Sequence, residues 1–136
     1  MVDWWPFNQE TFEFCMKKYQ LGAKLKRIGP KFLKPEWKKK WTRNRPTTGY
    51  CYLISEICFH YLYPNTEAYV MRVNGGTHWF LKSQGKIIDW TGDQFQTKVL
   101  YERGRHAAFF QGSVKTSRGF ISKKAHLLAQ QLGIIY

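Results

Sequence analysis

The apolar residues of this chain change period several times, and each change predicts an element. Phe12, Met16 and Tyr19 share one helical face, so a helix is expected over residues 9–20, capped by Asn8 and stopped by Gly22. Residues 23–34 read as a loop broken at Gly29-Pro30. Pro35 suits a first helical position, and Trp37 and Trp41 then lie one turn apart on a short basic helix. Arg45-Pro46-Thr47-Thr48-Gly49 ends that helix and leads into "YCYLISEICFHYL". There Cys51, Ile54, Ile57, Cys58 and Tyr61 form one apolar stripe, predicting a second helix from Cys51 to about Tyr63-Pro64-Asn65.

Beyond residue 66 the pattern becomes that of strands. "AYVMRV" (68–73), "THWFLKS" (77–83) and "KIIDWT" (86–91) are joined by Asn74-Gly75-Gly76 and Gln84-Gly85, both good hairpin connectors. The helical period returns in "SKKAHLLAQQLG", with Ser122 as cap, Ala125, Leu128, Ala129 and Leu132 as the stripe, and Gly133 as the stop. No repeat or low-complexity linker divides the 136 residues, so a single α+β domain is expected, with a basic N-terminal part over about 1–45 and a core over about 46–133.

The hairpin register carries chemistry. With a two-residue Gln84-Gly85 turn, Ser83 faces Lys86, Phe80 faces Asp89 and His78 faces Thr91. His78 and Asp89 are then diagonal neighbours on one face, about 7 Å apart or less at Cβ. A three-residue turn would put them on opposite faces. Phe80 and Ile87 fall beside the pair, while Trp79, Leu81, Ile88 and Trp90 fill the other face, so the hairpin is expected to be central with the Cys51 helix against it. Taken singly, His78 reads as a satisfied core histidine, Asp89 as a strand-end residue and Cys51 as packing. Taken in the order Cys-helix, His-strand, Asp-strand, they read as a nucleophile at a helix N-terminus, its base and the group that orients the base.

Composition narrows the alternatives. Aromatic residues are 18% of the chain and hydrophobic residues 43%, the signature of a packed core. No apolar run is long enough to span a membrane, the first residues lack a signal-peptide pattern, and the three cysteines lack framework spacing, which points to a reducing cytoplasm. Cys51 and Cys58 lie about 10 Å apart along a helix, too far to share an ion. His60 sits off the stripe as a surface or interface residue, and His106 and His126 have no Cys, Asp or Glu at ligand spacing. No metal site or cofactor is therefore assigned. Glu56 reads as a surface or ion-pair residue, and Thr91, Asp93 and Gln94 as shaping the turn that fixes Asp89.

Much of the net charge of +13 lies in "KLKRIGPKFLKPEWKKKWTRNR" (24–45), where Glu36 is the only acid. Such a surface attracts acidic or anionic partners, but no nucleic-acid-binding motif accompanies it, so contact with nucleic acid is expected to be non-specific. Lys123 and Lys124 in the first turn of the last helix oppose its dipole. With Ser122 they form either a candidate anion site or a tolerated basic surface.

The motifs "GYC", "THW" and "IIDWT" resemble those of transglutaminase-like and papain-like cysteine enzymes. "GYCYLISEICFHYL", "GGTHWFL", "GKIIDWTGDQF" and "SKKA" are similar, over about residues 43–132, to small phage and bacterial proteins sharing a G-x-C…H-W…D-x-T pattern. The resemblance implies a Cys-bearing helix packed on an antiparallel sheet and flanked by N- and C-terminal helices. It also implies a Cys51-His78-Asp89 triad acting on an amide or acyl bond as protease, amidase, deamidase or transferase, and a role against a host factor in the host cytoplasm. Papain-like enzymes often carry an upstream Gln as oxyanion donor. Here Tyr50 precedes Cys51, and Gln9 or Asn44 would serve only if the fold brought them near. Tyr50, Trp79 and Thr91 are the candidate oxyanion or pocket residues, beside the Cys51 backbone N–H. The competing reading is a binding module of the same fold that holds an anionic ligand or nucleic acid without turnover.

Overall fold

Leu21, Leu25 and Ile28 recur at helical spacing, and Leu21–Ile28 forms helix α1 in the computed structural model, which describes residues 20–73, 76–91 and 100–136. This corrects the loop expected over 23–34. Gly22 lies inside the helix, where Leu21 and Leu25 drive burial, and the stop is Gly29, whose positive φ of 70° lets its N–H reach back to Leu25 O. The helix expected over 9–20 falls outside the described residues, as does the 74–75 part of the first hairpin turn. Helix α2, Pro35–Lys38, has Pro35 at its first position, and the Trp41 N–H still bonds Trp37 O one turn on.

Helix α3, Cys51–Ile57, begins at the cysteine and continues as a π-helix, Cys58–Leu62, closed by the Tyr63 N–H on Cys58 O at 2.8 Å. Arg118 fastens that end. Its guanidinium donates to the carbonyls of Phe59, Tyr63 and Thr66 and lies over the Phe59 ring. His60, expected as a surface or interface residue, is buried with Nδ1 2.6 Å from Thr116 Oγ1, where this tail packs on the Val114–Thr116 strand.

Strands β1 (Glu67–Val73), β2 (Gly76–Ser83), β3 (Lys86–Ile88) and β4 (Arg105–His106) form one antiparallel sheet in the order β3-β2-β1-β4. Ser83 pairs with Lys86 across a two-residue turn in which Gln84 and Gly85 both have positive φ, 52° and 81°. Strand β3 ends at Ile88, short of the expected Thr91. The Asp89 side chain takes hydrogen bonds from Thr91, and this local turn replaces the ladder. A separate hairpin, β5 (Val114–Thr116) and β6 (Gly119–Ile121), leads to helix α4, Lys123–Gln131.

Both sheet faces are apolar. Leu81, Ile88 and Trp90 join the main core with Leu53, Ile54 and Ile57 of α3, Leu128 of α4, and Leu21 and Leu25 of α1. Met71, Phe80, Ile87 and Tyr101 form a smaller cluster on the other side. Lys24 ties α1 to the end of α4 through Nζ on Leu132 O at 2.6 Å. The protein is thus an α+β structure in which an antiparallel sheet is packed with several helices. None of the described helices is long and apolar enough to cross a membrane.

Candidate active site

The approach to Cys51 is set by backbone. The Tyr50 N–H bonds Thr47 O, and Gly49 takes φ +82° to turn the chain into α3. A Cβ on Gly49 would sit 3.2 Å from Leu33 Cδ1 and from Trp37 Cβ, so the loop and α2 press directly on this turn. Cys51 is the first residue of α3 and 8% exposed, and its Sγ points at the Thr77 carbonyl 3.7 Å away, one residue before His78 on β2.

His78 is fully buried, with Nε2 2.6 Å from Asp89 Oδ2. An ionised carboxylate only accepts, so Nε2–H donates and Nδ1 is the ring nitrogen turned away from Asp89. Burial alone would push the imidazolium down. The Asp89 carboxylate, by charge and hydrogen bond, and then Cys51, by hydrogen bond and charge, more than offset it and hold His78 up at about 10. Phe80 stacks beside the imidazole at 6.2 Å. The three side chains therefore converge, in the order Cys51, His78, Asp89.

Asp89 is held from three further directions. Thr91 donates its N–H and its hydroxyl to Oδ1, both at 3.2 Å, and Tyr101 donates its hydroxyl to Oδ2 at 2.6 Å. Tyr101, in the 3₁₀ turn Tyr101–Arg103, is buried, and burial followed by the neighbouring Asp89 pushes its phenol well up. Sequence reasoning missed this residue, since a lone tyrosine in "VLYERG" carries no periodic or spacing signal.

The other expected residues are distributed differently. Tyr50 is buried in the core, its hydroxyl donating to Gly29 O at 2.6 Å, so its side chain is not in the cleft. Burial raises its phenol to about 12. Thr91 is buried behind Asp89, where both of its donors are engaged, and does not face a substrate. Trp79 does line the cleft beside Cys51. Asn44 is exposed and outside the cleft lining, while Gln9, Asp93 and Gln94 lie outside the described residues.

The supposed anion site is filled by the chain itself. Glu56, expected as a surface or ion-pair residue, is fully buried, and its carboxylate accepts the Ser122 N–H at 2.9 Å and the Ser122 hydroxyl at 2.8 Å. An internal carboxylate thus occupies the start of α4, while the Ser122 Oγ also caps the Ala125 N–H. Lys123 and Lys124 are exposed, and Lys124 reaches the cleft.

That cleft, of about 520 Å³, is lined by Cys51 and Leu53 of α3, Thr77 and Trp79 of β2, Phe32 to Lys34 and Trp37, and Tyr52, Phe110 and Lys124. No three His, Cys, Asp or Glu side chains among the described residues form a metal-ligand group. In comparisons with known proteins, no family model, no curated protein and no solved structure matches this chain.

Proposed function

We propose that this chain is a small cysteine hydrolase or acyl transferase of the papain/transglutaminase-like type, acting on an amide or acyl bond. The observation that carries the reading is the buried His78–Asp89 pair, 2.6 Å apart, whose imidazole also interacts with the cleft-lining thiol of Cys51. A buried imidazole oriented by a carboxylate and set against a sulfur is the arrangement nucleophilic catalysis requires.

The steps follow from the atoms. Cys51 Sγ, as thiolate, bonds to the substrate carbonyl carbon, and the C=O π pair moves to oxygen beside the Cys51 backbone N–H. The C=O re-forms as the C–N bond breaks, and the proton on His78 Nδ1 passes to the departing amine. Neutral His78 then takes a proton from water while the water oxygen attacks the thioester carbonyl. The C–S bond breaks, releasing the acid and restoring thiolate and imidazolium. An amine in place of water gives transfer. Throughout, Asp89 holds the imidazole and Tyr101 and Thr91 hold Asp89.

Treatment with p-nitrophenyl acetate tests this. A burst of p-nitrophenolate is expected, with one acetyl group mapped by mass spectrometry to Cys51 and none to Cys58, which is buried at 2% exposure. His78→Ala should slow the burst by about 10²-fold or more. His78→Gln, which retains a donor toward Asp89, should slow it equally and keeps the result readable if the alanine variant folds poorly. Acetylation of Cys51 no faster than of Cys58, or a burst indifferent to both variants, would overturn the catalytic reading in favour of a binding module.

A further inference from the structure

The cleft places charge and apolar surface together. Its aromatic wall is Phe32, Trp37, Tyr52, Trp79 and Phe110, and Phe110 is 78% exposed at the mouth. Phe110 is held there by its backbone N–H on the Tyr52 hydroxyl at 2.8 Å. Lys34 and Lys124 line the cleft from opposite parts of the chain. Two more lysines ride on the wall, with Lys31 Nζ 5.2 Å from the Phe32 ring centre and Lys40 Nζ 4.8 Å from that of Trp37.

Among the described lining residues none is acidic. Of the acids on the neighbouring elements, Asp89 is engaged by His78 and Tyr101, Glu56 is buried on Ser122, and Glu36 is an exposed residue of α2. Residues 32–34 and 37 of the basic segment noted in the sequence therefore form part of the wall of the cleft that contains the thiol.

Resting on the catalytic reading above, we infer that the substrate is an acidic stretch of polypeptide, an apolar side chain seated on the aromatic wall and carboxylates facing Lys31, Lys34, Lys40 and Lys124. Acyl transfer through a cysteine, the reaction proposed above, needs a carboxyl-derived carbonyl, which a peptide supplies and a nucleic-acid backbone does not. The cleft volume, about 520 Å³, is within the range of small-ligand and side-chain sites. Positive potential over an apolar slot selects acidic sequences and speeds their arrival.

The test uses the full chain with Cys51→Ala and three fluorescein-labelled peptides sharing a central Leu-Phe-Gln-Gly, flanked by glutamates, serines or lysines. By fluorescence anisotropy at low salt, the glutamate peptide should bind about tenfold tighter than the serine peptide, and the lysine peptide more weakly than either. The preference should shrink as salt is raised and vanish in Lys31→Gln/Lys34→Gln/Lys40→Gln/Lys124→Gln, whose four sites are exposed and leave the core untouched. Equal binding of the three peptides, or a preference that survives the fourfold substitution, would overturn the inference. So would a single-stranded oligonucleotide of matched charge that displaces the glutamate peptide at equal concentration. The p-nitrophenyl acetate burst is read separately. A His78-dependent burst without peptide preference overturns the substrate assignment alone. A preference without the burst overturns catalysis and leaves the assignment of the cleft's ligand standing.

Discussion

Asp89 Oδ2 accepts two hydrogen bonds at 2.6 Å, from His78 and from Tyr101, and the two donors share its charge. Removing the phenol should leave more of that charge to the imidazolium. Tyr101→Phe is therefore expected to raise the His78 titration midpoint further, read from the imidazole proton shifts in NMR, and to slow the acetate burst by a few-fold to about tenfold. An unchanged midpoint would mean that Tyr101 only packs. The pair itself sets a pH dependence. A folded-state value of about 10 lies above the ordinary value of 6.5, so the folded protein holds this proton more tightly. The stabilisation is fully present below about pH 6.5 and is lost as pH rises from there to about 10. Urea unfolding should show the loss in the parent chain, and Asp89→Asn should flatten it. Gly104 belongs to the same neighbourhood, since a Cβ there would lie 2.5 Å from Phe80 Cζ, in the ring that stacks beside His78. Gly104→Ala should cost about 1–3 kcal/mol by thermal or urea unfolding.

Elements differ in how far local sequence reveals them. The start of α3 at Cys51 and the Ser83–Lys86 register were legible because each depends on a few adjacent residues, a glycine before a helix and a two-residue turn. What was not legible depends on distant partners. Glu56 sits off the apolar stripe and so reads as exposed, yet Ser122, 66 positions on, supplies two donors that let its carboxylate be buried. His60 is drawn inward by Thr116, and Tyr101 by Asp89, with no periodic trace of either. Helix α1 was obscured by Gly22, a residue that only tertiary packing of Leu21 and Leu25 makes tolerable mid-helix. Glu56 joins α3 to α4, so Glu56→Ala, which strands both Ser122 donors, should destabilise the fold by about 2–3 kcal/mol in urea unfolding. Glu56→Gln, which keeps one acceptor, should cost less. Burial pushes the Glu56 carboxyl up even though the two Ser122 bonds pull it down.

At the scale of the molecule the charge of +13 has a second consequence beyond the cleft. Contact with DNA or RNA is expected to be weak, indifferent to sequence and steeply salt-dependent, as for a surface that meets only phosphates. Filter binding or anisotropy with two unrelated oligonucleotides at low and high salt checks this, and sequence discrimination that persists at high salt would contradict it. The aromatic ring of Trp37 has a different reach. It packs on Gly49, two residues before Cys51, and its outer edge lies 3.4 Å from where a Cβ on Gly76 would be, two residues before His78. One indole from the basic segment therefore touches the approaches to both halves of the candidate dyad. Trimming the chain to residues 46–133 to obtain a minimal catalyst would strip away that indole together with Leu21, Leu25 and Leu33 of the core. A piece that keeps this core should thus begin upstream of α1, and the lysine-rich stretch is scaffolding for the cleft as well as part of its lining.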